Sequence, residues 1–551
     1  MTRLLVCIVL TASMIWNGSQ ARAQFDLGVE RTLLLDLLCD GKYKQALSEA
    51  RRIEKVVRPT KSKKVSATGP GTMVYIDLLI YRGTIERRMG NLDDADKTLT
   101  EAFKLLNDPA YQQFIARSVP TEEKERDAYF LSVEMPYLQL IDNGTEVLLE
   151  RIRNAHESRQ LQSSQQQTAS PGGSESNDDG TTADTALEER GKIVGWFRQV
   201  DELIRLSQAT RSTLRGRFSD RNEEGEDASL NRSPQARMMM SQSRSNRYIG
   251  MRYLEASLLP WTLSFDTDTP GSEDEPKRTG RRPSNDASRE PTNETPAERQ
   301  RQAASQRLRA TAYLEKAEQL SEAAMTPAFE SLERERQKAS QDVQGDPAAF
   351  PQLVTAQKDA ARIRAEILVP QARVAYFGGE LDDARKLIDR AVTGLREAEV
   401  PDHPELARPL IVSAEVAFAE SRRSLAAEDA ITAREKATIA AESLQEARRI
   451  LTSADSEFDP AAPLHLVLAN QLATVESFEK SSSQTAAANS AADAAARRAM
   501  AALKNQSRPK PAPAPAPAPP AAGKSPAPAP PATPGGGPQR PAPSPPTKAA
   551  P

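Results

Sequence analysis

The phrase Gly90-Asn91-Leu92-Asp93-Asp94-Ala95 recurs nearly three hundred residues later as Gly379-Glu380-Leu381-Asp382-Asp383-Ala384. In both copies a bulky apolar residue follows four positions after the alanine (Leu99, Ile388), and a second alanine three after that (Ala102, Ala391). A weaker third copy reads Gly41-Lys42-Tyr43-Lys44-Gln45-Ala46, then Ala50 and Ile53. Each copy predicts a helix hairpin: a glycine that can take the left-handed conformation ends one helix, and a second begins at once. Aspartates beside the turn suit the positive end of that second helix. Apolar residues at i, i+4 and i+7 share one face, and the alanines let a neighbouring helix come close. A lone hairpin cannot bury this stripe, so a stack of them is expected.

The pattern resembles the tetratricopeptide repeat, a helix-turn-helix unit of about 34 residues. Gly83, seven before Gly90, stands where that family prefers a small residue in its first helix. Pro401-Asp402-His403-Pro404-Glu405-Leu406-Ala407 looks like the inter-repeat linker of the kinesin-light-chain type, and Phe458-Asp459-Pro460-Ala461-Ala462-Pro463-Leu464-His465 echoes it after Ala440, Leu444 and Ala447. The chain departs from the family in placing Glu86 where a first-helix aromatic belongs. Spacing is irregular too: Ala95 follows Ala46 by 49 residues, and Ala447 follows Ala391 by 56. Insertions between or within hairpins absorb the excess.

Composition agrees with helices. Hydrophobic residues make up 38% and aromatics 5% of 551 residues, low for a compact enzyme of this size. Alternating Val/Ile-rich runs are scarce, so the expected class is all-α: a helix-turn-helix repeat solenoid with long disordered insertions and a disordered Pro/Ala-rich tail. The expected blocks are residues 25–155 and 303–478, both tetratricopeptide-like. Helices at 191–217 and 248–265 lie between polar stretches 157–188, 218–246 and 266–302, which read as disordered. Residues 479–507 read as an Ala-rich helix or linker. The blocks are either one solenoid with surface insertions or two segments on flexible links.

The ends carry their own signals. Arg3, the apolar run Leu4–Trp16 and Ala21-Arg22-Ala23 read as a secretory signal over residues 1–23, cleaved before Gln24, with an uncleaved anchor as the alternative. The run is short for a membrane span. The expected location is periplasmic, envelope-associated or secreted, in a composition that leans bacterial. Without the signal, Cys39 is the remaining cysteine, which leaves no internal disulfide. Cys39 reads as a small buried residue beside the Gly41 turn, with an intermolecular disulfide as the rival. Residues 508–551 hold five basic residues and no acid, and their Pro-Ala alternation predicts polyproline II. Such a tail is an unstructured extension or a spacer with weak affinity for an anionic cell-wall or membrane surface. A net charge of −3 gives no reason to expect nucleic acid.

Motifs for chemistry are scarce. His156, His403 and His465 have no partners at metal-ligand spacing. Asp266-Thr267-Asp268-Thr269-Pro270-Gly271 resembles the start of a calcium loop, but Pro270 replaces a ligand and Lys277 stands where the glutamate belongs. No nucleophile elbow, phosphate loop or dinucleotide fingerprint occurs. The expectation is therefore no catalytic residue, metal or cofactor. The tetratricopeptide resemblance implies a groove lined by first helices. Its groove positions fall on Asp77, Thr84, Arg87 and Arg88, and on Glu366, Arg373, Tyr376 and Phe377. Arginines there would suit an acidic peptide or a C-terminal carboxylate. The implied function is a non-enzymatic protein-binding scaffold, with tethering through the tail as the alternative.

Overall fold

The computed structural model describes residues 27–58, 70–169, 179–218, 234–261, 295–341, 349–399, 402–453, 458 and 463–506. The expected signal, the calcium-like loop and the tail lie outside them. Among the described residues the fold is all-α, with no strand.

The helices run as α1 (Leu27–Cys39), α2 (Tyr43–Val57), α3 (Pro70–Arg88), α4 (Leu92–Leu106) and the short α5 (Pro109–Arg117). Then follow α6 (Glu123–Ala169), α7 (Asp179–Phe218), α8 (Pro234–Ser257) and α9 (Pro296–Gln341). After α10 (Ala349–Gly378) and α11 (Leu381–Ala398), a 3-10 turn (Pro404–Leu406) leads into α12 (Ala407–Ala426), α13 (Ala430–Leu451) and α14 (Pro463–Gln506). They pair as hairpins: α1/α2, α3/α4, α6/α7, α8/α9, α10/α11 and α12/α13. Each second helix also packs on the first helix of the next hairpin, and α3, α6, α8, α10 and α12 touch in succession. That recurring relation is a solenoid, and the described residues as far as 488 form one compact unit. The last part of α14, from 489 to 506, belongs to a separate unit.

The repeated phrase does what its chemistry requires. Gly41, Gly90 and Gly379 have φ of 72°, 82° and 87°. In each turn the glycine N–H donates to the carbonyl three residues back, and the next N–H to the carbonyl five back: Gly90 to Arg87 and Asn91 to Glu86, Gly379 to Tyr376 and Glu380 to Ala375. These bonds satisfy the carbonyls left free at the end of a helix. The following alanines, Ala46, Ala95 and Ala384, are fully buried.

A fourth copy is present without its glycine. Glu428 takes φ of 64°, and the N–H groups of Glu428 and Asp429 donate to Leu425 and Ser424 in the same pattern. Ala433, Ala437 and Ala440 then occupy the buried stripe. The counterpart of Ala391 is thus Ala440, not Ala447, and Ala433 follows Ala384 by the same 49 residues that separate Ala95 from Ala46.

A fifth copy survives only as packing. Ala310, Leu314 and Ala317 of α9 are fully buried at i, i+4 and i+7. A Cβ on Gly250 of α8 would meet Leu314 Cγ at 2.7 Å, as one on Gly83 would meet Leu99 Cγ at 2.7 Å. The turn between α8 and α9 is replaced by about forty residues, so no phrase marks it.

Helix also extends beyond the boundaries read from sequence. α6 runs to Ala169 although polarity rises from residue 157, and α8 begins at Pro234, well inside the 218–246 stretch. Met238 and Met240 are buried there. Glu86, in the aromatic position, is 1% exposed; it accepts from Arg82 Nε at 2.8 Å and Thr98 Oγ1 at 2.7 Å.

The two kinds of turn residue should respond oppositely. At Gly379 a Cβ meets nothing, so Gly379→Ala isolates the backbone strain and should cost roughly 1–2 kcal/mol. Glu428→Gly should gain about 1 kcal/mol in urea denaturation by relieving it. Equal and same-signed shifts would contradict this account.

Candidate functional site

The first helices enclose a polar interior built from charges that local sequence patterns do not pair. At its centre lies Glu146 of α6. Its carboxylate meets Arg87 of α3, with Nη2 to Oε2 at 2.5 Å, and Arg247 of α8; it also accepts from the Tyr248 hydroxyl at 3.0 Å. Arg87 donates further to Glu150 at 3.0 Å, and Arg247 to Glu366 of α10 at 2.7 Å. A chain of ion pairs therefore crosses α3, α6, α8 and α10 in order.

Burial alone would push the Glu146 carboxyl up, but Arg87 and Arg247 outweigh it and hold it at about 2. One helical turn before Glu366, Arg362 of α10 reaches Glu405 with Nε at 3.4 Å, and Arg88 of α3 reaches the same carboxylate with Nη1 at 2.8 Å. Glu405 sits in the 3-10 turn before α12, so the circuit returns to the helix where it began.

A second buried hub lies two turns further along α8. Glu255 is fully buried and is met by Arg153 Nε at 3.2 Å, His156 Nδ1 at 3.2 Å and Arg373 Nη1 at 3.0 Å. Burial opposes its charge, but Arg373, the His156 hydrogen bond and Arg153 keep the carboxyl well below its usual range. Asp142 of α6 pairs with the buried Arg211 of α7 at 3.0 Å. Breaking any such pair from one side would strand a charge away from water.

Among the described residues, neither Glu157 nor Glu415, near the second hub, is in an ion pair. Glu157 Oε2 is buried with no hydrogen-bond partner, and burial, partly offset by Arg373 and Arg153, pushes that carboxyl up to about 7. Glu415 of α12 accepts from Gln471 Nε2 of α14 at 2.8 Å, and burial raises its pKa as well.

The sequence-derived groove residues fall on this interior in part. Arg87, Arg88 and Glu366 are brought together around Glu146, Arg247 and Glu405, each in an ion pair within the chain. Arg373 serves Glu255 instead, with its guanidinium 5.7 Å from the Phe377 ring centre. Tyr376 and Phe377 meet edge to face at 5.0 Å. Thr84 donates to Asn143 Oδ1 at 3.0 Å. Asp77 lies apart from them, within electrostatic reach of Tyr111.

Glu146, Arg247, Glu255 and Arg362 escaped the sequence reading, and His403 and Glu405 were read only as parts of a linker. Arg247 and Glu255 belong to a helix whose serines and arginines resemble solvated chain. Spacing in α8 was the available clue: Ser241, Ser245, Tyr248, Arg252 and Glu255 recur every three or four residues, and all are buried. Among the described residues no cluster could hold a metal ion, and no helix is long and apolar enough to cross a membrane. No protein-family model matches the chain, and no curated protein matches it.

Two expectations follow. Glu146→Gln removes the carboxylate that Arg87 and Arg247 share, leaving them only Glu150 and Glu366, and should cost about 1.5–3 kcal/mol in chemical denaturation. Glu157 gives a pH signature. Its folded carboxyl holds a proton up to about 7 against an ordinary 4.5, so the folded state binds that proton more tightly than the unfolded chain. This contribution is full below about 4.5 and is lost as pH rises to 7; Glu157→Gln should flatten the slope of stability over that window. An unchanged slope would assign it elsewhere.

Proposed function

We propose that this chain is an exported, non-enzymatic tetratricopeptide-like scaffold that binds a protein or peptide partner. The observation that carries the reading is the succession of first helices α3, α6, α8, α10 and α12, held in contact by the hairpin stack. Such a succession presents side chains at fixed spacing, which is what recognition of an extended segment needs. The charged groups along it are already engaged with one another, so the interior acts as a rigid polar frame. The carboxylate of Glu157, with the aromatic pair Tyr376 and Phe377, is left for a partner. Export rests on the N-terminal sequence pattern; the groove arginines that would suit an acidic partner are held in ion pairs within the chain. Tethering through the Pro-rich tail is the second reading, carried by the composition of residues 508–551.

A photo-crosslinking amino acid at Tyr376 or Phe377, compared with one at the exposed Ile431 of α13, separates the readings in native cells. The scaffold reading expects one protein adduct from the first two positions and none from Ile431. Absence of adducts at the helical positions, with mislocalisation after deletion of 508–551, would replace it by tethering.

A further inference from the structure

The first hairpin touches the chain a second time, far from its sequence neighbours. The carbonyl of Cys39, at the C-terminal end of α1, accepts from an Arg362 guanidinium nitrogen 323 residues away. His403 Nε2 lies 3.1 Å from the same oxygen. His403 Nδ1 accepts the Glu405 backbone N–H at 3.3 Å, which places the ring proton on Nε2 and makes it a donor to Cys39. A helix end that needs hydrogen-bond donors thus finds them on α10 and on the linker before α12.

The fit is close. A Cβ on Gly41 would stand 2.5 Å from Pro404 Cδ. Glu405 joins both sides, pairing with Arg88 at 2.8 Å and Arg362 at 3.4 Å, while Arg362 also meets Glu399 at 2.5 Å.

What this contact lacks is as informative as what it has. The apolar clusters among the described residues follow the chain. One joins α1, α2 and α3, the next joins α3, α4, α5 and α6, a third spans α6 to α10, and the largest spans α10 to α14. None contains residues of both the first hairpin and the segment from 362 onward. Burial of apolar surface therefore holds the stack along its length, whereas the closing contact consists of ion pairs, hydrogen bonds and one close van der Waals fit. Charged groups recover their hydration when such a contact opens, which offsets much of the attraction given up. Opening an apolar seam has no comparable return.

We propose that the contact of Cys39 and Gly41 with Arg362, His403, Pro404 and Glu405 is a reversible latch, which closes the solenoid into a ring and opens without unfolding the hairpins. Opening withdraws the Glu405 carboxylate from Arg88 and frees the Arg362 guanidinium from the Cys39 carbonyl, with Glu399 and Glu405 still beside Arg362. The latch does not depend on the scaffold reading, because it is defined by the chain's own contacts.

Hydrogen exchange and small-angle scattering on the full chain test it. The samples are the wild-type protein at low and at about 1 M salt, where charges are screened beyond roughly 3 Å, and the variants Glu405→Gln and Glu405→Lys. Glu405→Lys should speed amide exchange at residues 38–43 and 402–407 about tenfold or more and enlarge the radius of gyration. Exchange across 92–106 and 381–398, and the helical circular dichroism, should stay at wild-type values. Glu405→Gln and high salt should move the same readouts in the same direction by less.

Unchanged exchange at the two segments in every arm would show that the contact holds nothing closed. Exchange rising equally across 92–106 and 381–398, with loss of helix, would make the contact part of the cooperative fold. Either result overturns the latch.

Discussion

The removal of charge from water is the constraint around which this molecule is arranged. Glu146, with Arg87 and Arg247 on either side, sits where three successive first helices meet. An isolated carboxylate there would be costly enough to force protonation or rearrangement. Flanked by two guanidinium groups and a tyrosine hydroxyl it stays ionised, and in doing so it dictates the spacing of α3, α6 and α8. Glu255 does the same for α6, α8 and α10. Apolar burial brings these helices together without strong preference for one rotation about their axes. Directional ion pairs with fixed donors supply that preference.

The outer layer obeys a different rule. Ala46, Ala95, Ala310, Ala384 and Ala433 are fully buried on second helices, each followed by the same i+4 and i+7 positions. Small residues here shorten the distance between helices, and Gly83 and Gly250 shorten it further opposite Leu99 and Leu314. The result is a ladder whose rungs are set by side-chain size, with polar specificity confined to the inner face.

These two layers were unequally legible in the sequence. The ladder follows from local chemistry: a glycine able to hold φ near 80°, and a stripe of period 3.6, can be read within fifteen residues. Where a Glu stood in for the glycine, at Glu428, or where an insertion separated the two helices, between α8 and α9, the same geometry went unread. The expected helix covered α8 only from residue 248, and its earlier half was read as disordered for another reason. The buried side of that half includes Ser241, Ser243, Ser245 and Arg247, residues whose usual place is solvent, and composition weighs residue types without knowing their partners. The site was half visible. Arg87, Arg88 and Glu366 were named as groove residues through the tetratricopeptide resemblance, whose groove positions were counted back from the turn glycines. Their partners lie from about sixty to more than three hundred residues away, and no periodicity encodes that pairing.

The reach from Cys39 to Arg362 bears on how the molecule is made. Contacts within a hairpin close short loops and form quickly, whereas a contact between residues 323 positions apart must await nearly the whole solenoid. At ordinary rates of synthesis, about 5–20 residues per second, the first helix is expected to leave the ribosome roughly 16–65 seconds before the arginine that caps its last carbonyl. Assembly therefore has a natural order: the ladder grows from the N-terminus by neighbour contacts alone, and ring closure comes late. In this chain a hairpin made early is among the last to be completed.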